Sequence, residues 1–510
     1  MKLFRIVFRL SFIMFFSVST IIKAGDFKPA NSNMSPEAKA LLEFLHNISG
    51  KYTLTGQHNY PNAKDRNSQF AAKYFGKTPV IFSADLGFAR DGDKDSYLAR
   101  PDIVKEAIKQ HQQGAIIALM WHAVPPTANE PVTFQPKREG SKPDSLASVQ
   151  GQLLDQQFNN LLTPGTELYK HWCAQVDSIA VYLKKLQQAN VPVLWRPYHE
   201  MNGEWFWWGG RREEKGTAAL YKQLFDRLVN YHKLNNLIWV WSVDRPSKLE
   251  RQFSYYFPGS DYMDIVSLDV YGKDFNQSYY DSLIAYSNGK VLALAEVGNP
   301  PTVDILKNQP LWAYYTTWAG MVRNTLKKQY IELINDPRIL SQEDSIYCKL
   351  ITPYRTVCGL PPLATDRKLK IDFSGEWSFN EDKSVLDNMG VGFIPAKLKI
   401  TQFEINFNLQ KTFTEEYTDD RVTVDNLTLD GKEFKSEMRN APMITKANWS
   451  DKMDTLFIES IITFNRGGQT SIMTTNEKWS LQERGNVLSI IQSSDSFFGK
   501  RKITMVFDKR

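Results

Sequence analysis

The sequence predicts a (β/α)8 TIM barrel followed by a smaller antiparallel all-β domain. From about residue 36 to 340, short apolar runs that end in polar residues alternate with longer amphipathic stretches. That is the pattern of βα units wound around a parallel sheet. Past about residue 362 the helical period disappears and alternating strands remain. Polar and aromatic residues gather where the barrel strands end, most densely in "WRPYHEMNGEWFWWG" at 195–209.

Taken in order, the chain opens with Lys2, Arg5 and Arg9 ahead of the apolar stretch "LSFIMFFSVSTII" and then "KAG". This reads as a secretory signal peptide over residues 1–24. The stretch is shorter than the roughly twenty residues that span a bilayer. The mature protein is therefore expected in the periplasm, at the cell surface or outside the cell, with no transmembrane anchor after cleavage. Cleavage removes Lys2, Arg5, Arg9 and Lys23 and no acid, which takes the net charge from +6 to +2. So nearly neutral a chain carries no nucleic-acid signal.

Eight runs read as barrel strands: 51–58, 78–88, 114–124, 191–200, 236–244, 263–272, 290–298 and 311–320. Between them, "PDIVKEAIKQHQQG" and "GTAALYKQLFDRLVNYHKL" repeat apolar residues at helical spacing, and a glycine ends the first. Residues 125–165, rich in Pro, Gln and Asn, read as a long loop after the third strand. The catalytic domain is expected over 25–362. The linker "CGLPPLATDRKLK" leads into the second domain, 363–510, where "DG" at 430–431, "RGG" at 466–468 and "RGN" at 484–486 are hairpin signals. Cys348 and Cys358 are spaced to close one short loop or to remain thiols, and Cys173 is left over.

In a (β/α)8 enzyme the active site lies at the C-terminal ends of the strands. Here those ends carry Asp85, Trp121 and His122, His199 and Glu200, Asp244, Asp269 and Tyr271, Glu296, and Trp318. Strand alternation is expected to place Arg196, Tyr198 and Glu200 on one face, and Leu292, Leu294 and Glu296 on another. Two carboxylates thus converge on the barrel mouth, as glycoside hydrolysis requires: one protonates the leaving oxygen while the other attacks carbon or activates water. "HEMNG" fails the zincin pattern, because position 203 is Gly where a second His is needed. No metal and no cofactor are expected. Neither a nucleophile elbow nor a phosphate loop is present. Trp205, Trp207 and Trp208, in the loop after the fourth strand, suit stacking on sugar rings.

These residues resemble glycoside hydrolase family 26, the β-mannanases. "WRPYHEMNGEWFWWG" resembles its acid/base segment and "ALAEVG" its nucleophile segment, with "TGQHN", "VIFSADLGF", "ALMWHA" and "SLDVYG" in support. The resemblance covers about residues 36–345. It implies Glu200 as acid/base, Glu296 as nucleophile, and His199 as a residue that orients the nucleophile or touches the sugar. It also implies that Tyr271 bonds Glu296, that Asp269, His122 and Trp205 line the cleaved subsite, and that Trp318 is a stacking platform. Trp121, Arg196 and Asp85 are added from strand position, Arg196 equally as a partner for a buried acid.

The implied reaction is retaining cleavage of β-1,4-mannosidic linkages in mannan, galactomannan or glucomannan by a monomer. β-1,3-Xylan or mixed-linkage β-glucan, or carbohydrate binding without catalysis, stand as alternatives. The second domain resembles lipocalin-like barrels through "FSGEWSFNEDKS" and "VFDK". Its Trp377, Trp449 and Trp479 are expected as core plugs in preference to a sugar-binding face.

Overall fold

The structure, a computed structural model, describes residues 27–87, 96–136, 146–367 and 371–510, less 388–389, 391–392, 404, 416–418, 439, 451–454, 467–468, 483–484 and 497–498. The signal segment, the middle of the 125–165 loop and parts of the "RGG" and "RGN" turns lie outside the described residues. The chain divides into two units. The first runs to Leu363, apart from 70–78 and 343–345, which group with 364–510 in the second.

The first unit is a closed parallel barrel. Its strands are β1 (Thr53–Leu54), β2 (Gly56–Asn59), β3 (Ile81–Asp85), β4 (Ile116–Trp121), β5 (Val193–Pro197), β6 (Leu237–Asp244), β7 (Ile265–Val270), β8 (Val291–Val297) and β9 (Trp312–Thr317). Neighbours pair in the order β9-β2-β3-β4-β5-β6-β7-β8, and β8 pairs with β9 to close the ring. β1 and β2 form one stave interrupted at Thr55, and the short β10 (Ile339–Leu340) flanks β1. The eight expected strands are all present. They read as near-continuous apolar runs because helices cover a parallel sheet and bury it on both faces.

The helices follow from local signals. Ser35 caps Pro36–Ile48 by accepting from the Ala38 N–H, and Thr166 caps Glu167–Gln188 from Tyr169. Gly114, at φ 112°, ends Arg100–Gln113 in a left-handed turn that a Cβ would oppose. Thr217–Phe225 runs on as a π-helical turn over Asp226–Tyr231.

Strand parity fails at both carboxylates. β5 ends at Pro197, and Tyr198 and Glu200 take the left-handed conformation, φ 47° and 49°. Two such residues without glycine's freedom cost on the order of 1–2 kcal/mol each. Tyr198 consequently turns outward, and its hydroxyl accepts from Trp172 Nε1 on the helix Glu167–Gln188 at 2.9 Å. It does not share a face with Arg196. In β8 the register slips: Ser267 pairs with Ala293 but Asp269 with Glu296, so the strand carries one extra residue. Ala293 and Ala295 pack into the barrel core, and the bulge turns Glu296 inward as well. Leu292 and Leu294 therefore do not predict its face, and the bulge re-aims a side chain as bulges beside active sites do.

The second unit is one ten-stranded antiparallel sheet wrapped around a single core. Its strands are β11 (Gly375–Phe379), β12 (Lys397–Phe403), β13 (Asn406–Phe413), β14 (Arg421–Thr428), β15 (Phe434–Met438), β16 (Ala441–Trp449), β17 (Leu456–Arg466), β18 (Gln469–Gln482), β19 (Val487–Ser496) and β20 (Gly499–Lys509). The order is β14-β13-β12-β11-β20-β19-β18-β17-β16-β15. Trp377 and Trp479 are buried with Phe373 and Phe407, and Trp449 stacks on Phe373. The first two are core plugs and offer no sugar-binding face.

All three cysteines are free and buried, so no disulfide links Cys348 to Cys358.

Candidate active site

The floor of the barrel mouth is an ionic cluster centred on Arg196. Its guanidinium reaches across from β5 to Glu296 Oε2 at 2.8 Å and to Asp269 Oδ2, while its Nε donates to Ser242 Oγ at 3.0 Å. Burial works against the charge of Arg196, but the two carboxylates beside it hold the guanidinium charged, with its pKa above the ordinary value. Asp269 is wholly buried and also accepts from Ser242 Oγ at 2.9 Å. It lies beneath the mouth, where it orients Arg196. Burial raises its pKa to about 7, against the pull of Arg196. Arg196 itself lies beneath the mouth as the partner of two buried acids.

Glu296 Oε1 accepts from the Tyr271 hydroxyl. Burial, and then the charge and hydrogen bond of Glu296, raise the Tyr271 pKa, so the phenol stays protonated as a donor. The ring fits because residue 298 is glycine: a Cβ there would stand 2.8 Å from Tyr271 Cδ1. Arg245 holds Tyr271 from behind by donating to its carbonyl at 2.6 Å.

Glu200 stands above this cluster, partly exposed. Burial raises its pKa well above the ordinary value, and the charges of Glu296, Asp269 and Asp244 add to the effect against Arg196. Its Oε2 accepts from Trp205 Nε1 at 2.7 Å. Trp205 lies against Gly203, where a Cβ would stand 2.3–2.5 Å from three ring atoms, and the Arg251 guanidinium lies over the ring at 4.8 Å. Trp205 thus presents a hydrogen-bonding edge at the mouth. Trp207 and Trp208 are fully buried, donating to the carbonyls of Ala123 at 2.7 Å and His199 at 2.9 Å. The three-indole platform expected here is therefore one indole and two core residues.

Histidines pack beside the Trp205 loop, His122 and His199 both meeting the Phe206 ring. Asp85 Oδ2 bonds His122 Nδ1. Burial opposes the charge of Asp85, but His122 and the Gly87 N–H, at 2.8 Å, outweigh it and hold the carboxyl below its usual range. His122 meets His199 edge-to-face at 4.5 Å. His199 is buried and kept neutral, first by burial and then by His122, Arg196 and His58, and its Nδ1 has no hydrogen-bond partner among the described residues. Trp318 is half-buried, its ring stacked on His58 at 4.0 Å and 11°. Trp121, 2% exposed, is buried at the end of β4.

His58, Ser242, Arg245 and Arg251 escaped the sequence reading. His58 had a signal, since it sits at the end of the first stave within "TGQHN". The other three act through neighbours far away in sequence.

A model of glycosyl hydrolase family 26 matches residues 30–343, which contain every residue of this mouth. The chain belongs to glycosyl hydrolase family 26. It is 34% identical over 298 residues to a mannan endo-1,4-beta-mannosidase of Thermothelomyces thermophilus, covering 58% of this chain and 57% of that protein. It is 32% identical over 300 residues to mannan endo-1,4-beta-mannosidase A of Piromyces, covering 56% of this chain and 45% of that one. The chain spans about half the length of these curated relatives. Among solved structures it resembles GH26A from Muricauda, with 39% identity and TM-score 0.56 over 61% of this chain and 98% of that one. It also resembles the Podospora anserina GH26-CBM35 beta-(1,4)-mannanase, with 28% identity and TM-score 0.52 over 64% and 69%. Among the described residues no helix is long and apolar enough to cross a membrane, and no group of side chains is placed to hold a metal.

Proposed function

We propose that the protein is a retaining glycoside hydrolase that cleaves β-1,4-mannosidic linkages by double displacement. The observation that carries this is the opposed setting of two carboxyls. Glu296 is held by a guanidinium and a phenol, and Glu200 is pushed toward its neutral form by burial and by the anions below it. Pairs whose surroundings separate them in this way divide into nucleophile and acid.

In the first step Glu296 attacks the anomeric carbon and the Glu200 proton goes to the departing glycosidic oxygen. The aglycone leaves with that proton, and the sugar remains esterified to Glu296. Esterification removes the Glu296 charge, one of the causes that raised Glu200. Glu200 now ionised takes a proton from water, whose oxygen attacks the same carbon, and Glu296 leaves as the carboxylate. Trp205 keeps one Glu200 oxygen occupied, so the other faces the glycosidic oxygen. Tyr271 and Arg196 receive the Glu296 charge when it returns.

The mannan preference rests on the activities named for the relatives and on family membership. Export with loss of residues 1–24, a monomeric state and a lipocalin-like second unit are parts of the same reading. The test is to incubate wild type and Glu296→Ala with mannan, galactomannan, glucomannan, β-1,3-xylan and mixed-linkage β-glucan and to size the products. Wild type alone is expected to cut the mannans. Cleavage confined to another glycan refutes the substrate, and equal cleavage by the variant refutes the site.

A further inference from the structure

Trp205 is fixed by two neighbouring loops, and one of them has no part in the mechanism above. The loop after β4 holds its main chain: the Gly151 N–H donates to the Trp205 carbonyl at 2.9 Å, and Gln152 Nε2 donates to the carbonyls of Glu204 and Phe206, each at 2.9 Å. The loop after β6 holds its ring, through Arg251 at the end of the helical turn Leu249–Arg251.

Arg251 is placed for the face of its guanidinium more than for hydrogen bonds. The group lies 4.8 Å over the indole, Nη1 donates to Ser247 Oγ at 3.2 Å, and the Glu204 carboxylate stands 3.7 Å from Nη2. Its Nε is buried and has no hydrogen-bond partner among the described residues. The main chain beneath it is fixed by Asn202, which is fully buried. Asn202 Nδ2 donates to the carbonyls of Arg251 at 3.0 Å and Asp244 at 2.6 Å, and its Oδ1 accepts from the Asp244 N–H at 2.7 Å. Together with the hydrogen bond from Trp205 Nε1 to Glu200, these contacts close a ring that runs from the Glu200 loop through Asn202, Arg251 and Trp205 back to Glu200.

A cation over an aromatic face is attracted by its electron density and draws on it, and an indole polarised in this way is a stronger N–H donor. A stronger donor favours the ionised form of the carboxyl that accepts from it. We propose that Arg251 is a positioning residue for the acid/base, acting through Trp205 to steady the indole and strengthen its hydrogen bond to Glu200. The inference rests on the hydrolase reading above for the role of Glu200. Other groups act on the same carboxyl: Glu296, Asp269 and Asp244 oppose its ionisation, Arg196 favours it, and Tyr271 faces it. Arg251 in turn faces Asp244, Glu204 and Tyr256.

The test is a double-mutant cycle of Arg251→Met with Trp205→Phe, with Arg251→Lys as the variant that keeps the charge and thermal melting as the check on folding. Arg251→Gln repeats the charge removal should Arg251→Met unfold. The substrate is 4-nitrophenyl β-mannobioside, whose leaving group departs with little help from an acid, so kcat reports hydrolysis of the glycosyl-enzyme, where Glu200 is ionised. Arg251→Met is expected to lower kcat about three- to tenfold, the worth of a partly desolvated cation–π contact, and to leave kcat/KM within twofold. Carbon-13 NMR of labelled glutamate should show the acid dissociation constant of Glu200 lowered by a similar factor. Arg251→Lys should lose less on both readouts, and in the Trp205→Phe background Arg251→Met should change neither. A folded Arg251→Met protein with kcat and the Glu200 dissociation constant both within twofold of wild type overturns the proposal. So does an effect that persists at full size in Trp205→Phe, which would be the field of the charge acting directly on Glu200. If wild type cleaves no mannoside, it is the hydrolase reading that fails, and the NMR titration alone decides whether Arg251 acts through Trp205.

Discussion

Gly203→Ala tests how Glu200, the proposed acid/base, is held. Residue 203 is not in the left-handed region, so alanine brings no backbone strain of that kind. Its Cβ, however, would stand 2.3–2.5 Å from Cζ2, Cη2 and Cε2 of Trp205, where ordinary contact begins near 3.4 Å. The indole must retreat by about 1 Å, since carbon atoms pack at about 3.5–4.0 Å. A hydrogen bond from Trp205 Nε1 to Glu200 Oε2 that starts at 2.7 Å does not survive such a move. Losing a hydrogen bond to a charged group costs about 1.5–3 kcal/mol, or roughly 10- to 150-fold in rate. The loss should concentrate in the step where Glu200 is ionised, the hydrolysis of the glycosyl-enzyme. The assay is steady-state and burst kinetics on 4-nitrophenyl β-mannobioside, with thermal melting to establish folding. A folded Gly203→Ala enzyme with kcat within twofold of wild type would refute the positioning role of Trp205. Trp205→Phe, which removes the donor without adding a Cβ, should reproduce the loss.

Tyr271→Phe should lower kcat about 10- to 100-fold with little change in melting temperature, because the ring remains and one charge-assisted hydrogen bond to Glu296 is lost. Glu296→Gln removes an anion that raises Glu200, so the Glu200 pKa, followed by carbon-13 NMR of labelled glutamate, should fall. For the same reason the alkaline limb of kcat/KM against pH reports Glu200, and activity should be lost as pH rises through its elevated pKa. His46, His58 and His111 are held neutral by burial, with pKa values of about 4, 3 and 4. The unfolded chain takes up protons on these histidines below about pH 6.5 while the folded chain does not, so the melting temperature should fall from pH 6.5 toward 4. A melting temperature flat across that range would contradict their burial.

The barrel was legible because a parallel sheet buried on both faces writes each strand as an apolar run, and all eight runs correspond to staves. Strand ends also pointed to carboxyls that the structure brings close together, Glu296 and Asp269 both bonding Arg196. The geometry there was not legible, because it depends on departures from regular structure. Left-handed backbone at Tyr198 and Glu200 and the bulge before Glu296 each break the parity used to assign faces. Burial was hidden for a related reason. Trp207 and Trp208 have the composition of a binding surface, but both are buried and donate to the carbonyls of Ala123 and His199. Asp269 illustrates how a strand-end acid can serve another residue: its role follows from Arg196, 73 positions away. In the second unit the alternation marks strands without fixing their number: ten form among the described residues, and β15 and β16 alternate too weakly to stand out.

The most direct test of the two-carboxylate mechanism is the anomer first released. Proton NMR of mannopentaose hydrolysis, recorded before mutarotation, should show the new reducing end as the β anomer, because two displacements at one carbon restore its configuration. First appearance of the α anomer would mean a single displacement by water, and Glu296 could not then be the nucleophile.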